Sequence, residues 1–382
     1  MFEQTAILVF WCACACVAYT YGVYPLLVAI LASLRRSIAR GPHGASVSIV
    51  VAAYNEEASI ARRLEELLGL LLRSKRRGEL ILVSDGSTDA TVHAAGRIES
   101  DLLRIIELRE NQGKAAAISA ACAAAQGDVI VLADARQHWA PDALERLLEN
   151  FADPAIGGVS GELVLESSPG LLAGVGAYWR FEKWLRRCEG RLHSTVGATG
   201  AICAVRRKLF LPIPKGTILD DVYWPLRVVM QGYRVVHDER ARAYDRLPEK
   251  TRDEFRRKVR TLSGNLQLLQ RLPGSILPWK NPIWVQFVSH KLLRLAVPWA
   301  LLLILALSLL LDGFVYQATG CALAAAGLAG LAGMALPLAG RLPGAAALSS
   351  FLILNAAAWF AFWIWLFGMS AGSWTKVSYA AE

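Results

Sequence analysis

Hydrophobic positions follow one pattern at the two ends of this chain and another in the middle. At the ends they run unbroken. Ala6 to Leu34 carries no charged residue, nor does Leu295 to Leu311, and from Leu295 to Met369 the only charges are Asp312 and Arg341. A charge at the centre of a bilayer costs roughly 2.5–3.5 kcal/mol on insertion scales, so runs this pure read as membrane spans. One span is expected over Ala6–Leu34, and three more near Leu292–Leu311, Phe314–Leu336 and Ala345–Gly368. The first is too long for a signal-peptide core and lacks a clear cleavage site, so it is expected to stay.

In the middle the apolar runs shorten and alternate with helical periodicity. Val47–Ala53, Glu79–Ser84, Leu102–Leu108 and Val129–Asp134 read as buried strands. Between them lie helical patterns, one through about Leu72 with Ile60, Leu64, Leu67 and Leu68 on one face, and an alanine-rich one to about Ala125. Ser87 or Thr88 can cap the helix after the second strand. Short links between alternating strands and helices predict a mainly parallel α/β sheet with right-handed crossovers. Polar residues gather where each strand ends, so one rim of the sheet carries the chemistry. Gly157–Glu166 reads as a further strand and Leu171–Leu192 as an amphipathic helix. That helix suits a membrane surface or packing on the sheet.

Composition sharpens this picture. The chain has 382 residues, is 54% hydrophobic, and carries a net charge of +9 that falls almost wholly between Arg35 and Arg294. Arg35, Arg36 and Arg40 beside the first span place the following domain on the cytoplasmic side and Met1 outside, and three later spans return the tail to the outside. Lys376 in that tail argues weakly against this count. A basic block flanked by spans points to an anionic bilayer and an anionic nucleotide, and nucleic acid is not expected. The seven cysteines form no CxxC pair and read as small apolar residues.

Four short motifs stand in order, each after an expected strand: AAYNEE from Ala52, SDGSTD from Ser84, NQGK from Asn111, and ADA from Ala133. Together they resemble the family 2 inverting glycosyltransferases, and more closely the membrane-integrated members related to cellulose, chitin and hyaluronan synthases. The resemblance covers roughly Val47 to Leu268 and the pattern of spans. It implies a nucleotide-sugar-binding, GT-A-like cytosolic domain. It further implies that Tyr54, Glu56 and Asp85 hold the uracil and ribose of a UDP-sugar, that Lys114 helps hold the nucleotide, and that Asp134 holds a metal–diphosphate, with Mg2+ or Mn2+ as cofactor. Taken alone, Asp85 can equally be a helix-capping turn residue, Lys114 a solvated helix residue and Asp134 a loop cap. Where the family has a second acid, two positions after Asp134, this chain has Arg136. Three outcomes are open: the ion is held by Asp134, phosphates and water, which magnesium tolerates and which is favoured; Arg136 contacts the diphosphate directly; or Arg136 points away.

Further on, Thr199 and Gly200 lie in a small-residue segment that in the resembling family sits under the acceptor sugar. Asp220-Asp221 matches the TED motif, with Asp221 as general base, although two acids also suit a helix N-terminus. Arg257 and Arg260 take the glutamine and arginine places of QxxRW, and Thr261 takes the tryptophan. Arginines there can stabilise a departing diphosphate. The missing tryptophan puts the aromatic floor of processive synthases in doubt.

The expected organisation is an N-terminal span and basic linker over 1–40, a cytosolic glycosyltransferase domain over 41–270, an interfacial segment over 271–291 anchored by Trp279 and Trp284, and a membrane region over 292–382. The expected setting is a bacterial plasma membrane. Expected partners are a nucleotide-sugar donor, a glycan or lipid-linked acceptor, and membrane lipids. Two other readings remain: transfer of a single sugar to polyprenyl phosphate, left open by Thr261, and an inactive subunit that binds a nucleotide sugar or polysaccharide, supported by Arg136 and opposed by Asp220, Asp221 and Arg260.

Overall fold

The computed structural model describes residues 2–36, 38–166, 173–246, 251–336 and 344–369. A long apolar helix, α1 (Phe2–Ser33), leads into the soluble part. There β1 (Val47–Ala53), α2 (Ile60–Arg73), β2 (Gly78–Asp85), α3 (Thr91–Gly96), β3 (Leu103–Leu108), α4 (Lys114–Ala124) and β4 (Val129–Asp134) alternate. Next come the two-residue β5 (His138–Trp139), α5 (Ala143–Glu149), β6 (Ile156–Glu166), α6 (Ala173–Leu192), β7 (Ile202–Arg206), α7 (Asp220–Met230) and β8 (Arg234–Arg246). Then α8 (Thr251–Arg271) leads to the apolar helices α9 (Trp284–Leu310), α10 (Phe314–Ala335) and α11 (Ala345–Leu366).

The strands form one sheet in the order β3-β2-β1-β4-β7-β6-β8-β5. β1 is buried throughout because β2 and β4 flank it in parallel and helices cover both faces. Its side chains alternate accordingly. Ile49 and Val51 join the core against α2 and α5, while Val50 and Ala52 join the core against α4 and α7. The chain walks outward from β1 to β3, then crosses back to become β4 on the far side of β1. At that reversal the carboxyl ends of β1 and β4 open a crevice, the usual ligand site of an open α/β sheet. The half beyond β4 is mixed: β7 runs antiparallel to β4 and to β6, whereas β6 and β8 are parallel.

Four helices are long and apolar enough to cross a membrane. α1 packs on α9 through Phe10, Ala300 and Ile304. The amphipathic α6 and α8 lie between the sheet domain and these helices. Leu185 of α6 packs on Tyr24 and Val28 of α1, and Val259 of α8 packs on Ala357 and Ala361 of α11. Large apolar side chains such as Leu8, Trp11, Leu26, Leu309 and Phe314 stay exposed on the outer faces, as lipid contact requires.

Several expectations are corrected. Ser87 and Thr88 cap no helix. They hydrogen-bond Asn55 across the β1 and β2 loops, and α3 starts later, at Thr91. The second long apolar run begins at Trp284, so the end of the expected interfacial segment is part of α9. The expected start of α6 at Leu171 and the tail with Lys376 lie outside the described residues. The strands β5, β7 and β8 were not anticipated. β8 carries Arg234, His237, Asp238, Glu239 and Arg240 among its apolar residues, so it does not read as a strand.

Candidate active site

Asp85 ends β2 and is fully buried. Its two carboxylate oxygens each accept a backbone amide, from Gln112 and from Gly113, at 2.8 Å. Gly113 has φ +90°, a conformation that suits glycine, and the turn it makes opens α4. Thus Asp85 anchors the turn that aims Lys114, the first residue of α4. Asp85 thus holds the distant loop before α4 and does not cap the helix that follows its own strand, and both of its oxygens already hold partners.

Lys114 reaches across β1 to Asp134 at the end of β4, with its Nζ 2.6 Å from Asp134 Oδ1 and 4.0 Å from Asp220 Oδ2. Burial works against the ammonium, but Asp134, Asp220 and Asp221 outweigh it and raise its pKa. Burial likewise opposes charge on Asp134, and Lys114, Arg136 and Arg63 overcome that and lower its pKa. Gly200 closes the other side. A Cβ there would stand 3.1 Å from Lys114 Nζ and 3.7 Å from Asp134 Oδ2, so the absence of a side chain admits the pair. Thr199 beside it is buried, its amide donating to Ser160 Oγ and its hydroxyl 3.4 Å from Arg186 Nη1.

Asp220 and Asp221 form the first turn of α7. The partly unpaired amides of a helix start favour acids there. Burial dominates even so: it raises the pKa of Asp220, and burial together with Asp220 pushes Asp221 up to about 6. Lys114 stands nearer Asp220, so Asp221 is the member that takes up a proton near neutrality. Its carboxylate makes no hydrogen bond or ion pair with any described residue, while its backbone oxygen accepts the Ala198 amide at 2.7 Å and fixes the turn. A partly exposed carboxylate without a partner, titrating near 6, has the properties of a general base.

Of the other expected residues, Tyr54 and Glu56 lie on the loop after β1, where the Glu56 amide donates to Thr91 Oγ1 and its carboxylate accepts from Ser59. Arg260 is half-buried on α8 and acts on the Asp220 carboxyl through space. Arg257 and Thr261 are exposed. The structure thus brings together Lys114, Asp134, Gly200, Asp220 and Asp221. Sequence reading missed Arg63. It is buried on α2, donates from Nε to the Asp134 carbonyl at 3.1 Å, pairs with Glu66 at 3.1 Å and stacks over Trp139. The one signal was a polar residue next to Leu64 on an otherwise apolar helix face.

Residues 48–211 match the family described as Glycosyl transferase family 2. The matched region, the core of the sheet domain, is similar to the glycosyltransferases of family 2. Over 238 residues the chain is 26% identical to the poly-beta-1,6-N-acetyl-D-glucosamine synthase of Staphylococcus aureus, covering 59% of this chain and 56% of that enzyme. The match therefore spans little more than half the length of that curated relative. A 91-residue stretch is 41% identical to the dodecaprenyl-phosphate galacturonate synthase of Rhizobium johnstonii, 23% of this chain and 27% of that one. A mannosyltransferase from Pyrobaculum calidifontis, solved in complex with GDP-Man and Mn2+, has a TM-score of 0.71 at 25% identity over 94% of this chain and 99% of that chain.

The fit of a divalent ion to this crevice is partial. Among the described residues no three His, Cys, Asp or Glu side chains cluster as a metal site. Asp134 supplies one carboxylate, already paired with Lys114, and Arg136 adds positive charge nearby. The protein alone therefore offers a one-ligand site, which a cation can share only when phosphate oxygens and water complete its shell.

Proposed function

We propose that the chain transfers a sugar with inversion from a nucleoside diphosphate donor, of the UDP type, to a polysaccharide or lipid-linked glycan acceptor, working at the cytosolic face of a membrane. The observation that carries this is the convergence on one crevice of the Lys114–Asp134 pair and the Asp220–Asp221 pair. Tyr54 and Glu56 meet the base and ribose, and Asp85 acts by holding the turn that aims Lys114. Lys114 meets the diphosphate, while Asp134 would hold a Mg2+ or Mn2+ ion. Such an ion, when bound, offsets the negative charge of the departing diphosphate.

The remaining chemistry is done by side chains. Inversion needs the acceptor oxygen to enter opposite the leaving diphosphate. Asp221 takes the proton of that oxygen as it attacks the anomeric carbon. The C–O bond to the diphosphate breaks, and the nucleoside diphosphate leaves with the electron pair. Arg260 steadies the charge that develops there. Thr199 and Gly200 form the floor on the acceptor side. An exposed Thr261 where the resembling family has tryptophan favours a second reading, in which one sugar is added to polyprenyl phosphate.

The test uses full-length protein in nanodiscs with a panel of UDP- and GDP-sugars and Mn2+ or Mg2+. Release of the nucleoside diphosphate is measured, with lipid and polymer fractions counted separately. Release from one donor, matched by sugar gained in one fraction, is expected. No release from any donor, with nucleotide binding intact, would leave the inactive-subunit reading.

A further inference from the structure

Beneath the spans lies a second polar cluster. It joins α6 to the start of α9. His290 sits between two acids, with Nδ1 2.8 Å from Glu189 and Nε2 3.1 Å from Glu182. Tyr24 of α1 donates to Glu189 at 2.5 Å, and Arg294 donates to Glu182 and stands 3.3 Å from the Tyr178 hydroxyl. His290 and Arg294 contact Glu182, and His290 and Tyr24 contact Glu189 through Oε1, while Glu189 Oε2 is buried with no hydrogen-bond partner among the described residues.

Lys291 is the exception. It lies in the same turn, inside the apolar run Trp284–Leu310, and makes no hydrogen bond or ion pair with any described residue. Arg186 of α6 is close to it in the same field. Arg186 donates a long hydrogen bond to Thr199, at 3.4 Å, and its guanidinium lies 6.0 Å from the Trp179 ring. Both cations act through space on Asp221, but neither is within ion-pair distance of it. The Trp179 indole N–H is buried without a hydrogen-bond partner. Glu182 and Glu189 act on Lys291 through space without contacting it; a cation in an apolar run is costly unless an anion meets it, so one with no contact ion pair is a candidate binding site.

We infer that Arg186 and Lys291 form the phosphate site of a lipid acceptor, whose hydrocarbon lies against the apolar helices and whose phosphate brings the reacting end to Asp221. This rests on the proposed transferase reading and deepens it on the acceptor side. Three features support it. Two cations with spare donors match a phosphate, which arginine holds with forked geometry. The site borders the membrane helices, because α6 packs on both α1 and α11. It is separate from the donor pair, since Lys114 already serves Asp134, whereas Arg186 and Lys291 contact neither. A neutral glycan would leave both cations unmatched.

The test uses full-length protein in phosphatidylcholine nanodiscs. Radiolabelled farnesyl phosphate and the uncharged farnesol are the two probes. For Arg186→Gln/Lys291→Gln, farnesyl phosphate binding is expected to weaken about tenfold or more while farnesol binding holds. Lys291→Arg should retain most of the affinity. Binding of UDP or GDP, measured calorimetrically, reports whether each variant is folded. Equal loss for both probes in a variant that still binds nucleotide, or no loss for farnesyl phosphate, overturns the site. Displacement of farnesyl phosphate by an equal concentration of inorganic phosphate also overturns it, because the lipid would then contribute nothing. Displacement by phosphatidate at matched concentration supports a phosphomonoester lipid site. The two claims can fail separately. Wild-type protein that binds farnesyl phosphate but releases no nucleotide from any sugar donor keeps the site and ends the transferase reading. Protein that glycosylates a soluble glycan while the double variant binds farnesyl phosphate normally does the reverse.

Discussion

At the residue scale the two candidate acids divide the work by their surroundings. Lys114 holds Asp220 close, whereas Asp221 is left with burial and a like charge, which raise it to about 6. Base catalysis by Asp221 therefore requires the ionised form, and turnover should fall as pH drops through about 6 in a pH–rate profile. Asp221→Asn should cut turnover by about 10²–10⁴-fold with nucleotide affinity unchanged. A variant near wild-type turnover would remove the assignment. The same shift has a stability sign. A carboxyl raised in the folded state favours folding while protonated, and that contribution is lost as pH rises through about 6. Asp221→Asn should thus melt higher than wild type at pH 8 and no higher at pH 4. Arg136 supplies a second prediction at this scale. Its charge acts on Asp134, so Arg136→Asp should lower the Mn2+ concentration for half-maximal rate, and an unchanged metal titration would show that Arg136 has no part in the site. The motif residues Lys114, Asp134, Asp220 and Asp221 were legible in the sequence, because each stands where an apolar run or a helix begins or ends. The double use of Asp85 was not legible, since its partners are backbone amides that no residue type announces.

At the element scale the crevice exists because β4 returns to the far side of β1, and because two neighbouring segments give up bulk there. Gly200 is the tighter of these: any Cβ meets the Lys114 ammonium at 3.1 Å. Gly200→Ala should displace the lysine and lower kcat/KM by about tenfold while the melting temperature shifts little, since the clash falls on the end of a flexible side chain. A large loss of stability with activity per folded molecule preserved would mean that the glycine serves the fold alone. The parallel strands β1 to β4 could be read from sequence because they are buried on both faces and so are apolar without interruption. β7 and β8 could not. β7 is five residues long, and β8 alternates charged residues with its apolar ones as it pairs with β6 and β5. α6 was expected either to lie on the membrane or to pack on the sheet. It packs on the sheet, where Gly190 passes so close that a Cβ there would stand 3.0 Å from the His237 amide of β8, and Leu185 packs on α1.

At the scale of the whole molecule, four apolar helices and a basic domain between them define the orientation to be tested. If the soluble domain lies inside, as the proposed function requires and the arginines after α1 favour, a reporter fused after Glu382 should be active on the outer side, and a cytosolic signal would refute four spans in this orientation. The number of apolar runs was legible from charge-free sequence. Their attachment to the domain was not, because the contacts join residues distant along the chain. That attachment has a consequence for how the protein is made. The cluster beneath the spans draws Tyr24 from the first helix, Glu182 and Glu189 from the middle of the chain, and His290 and Arg294 from near the start of the second apolar helix. A ribosome delivers these pieces in that order. Until His290 and Arg294 emerge, the two acids must remain hydrated, so α6 has no reason to leave water for its final seat. Synthesis therefore sets a sequence of events: the sheet closes first, and the anchor locks onto it only when the last cations arrive.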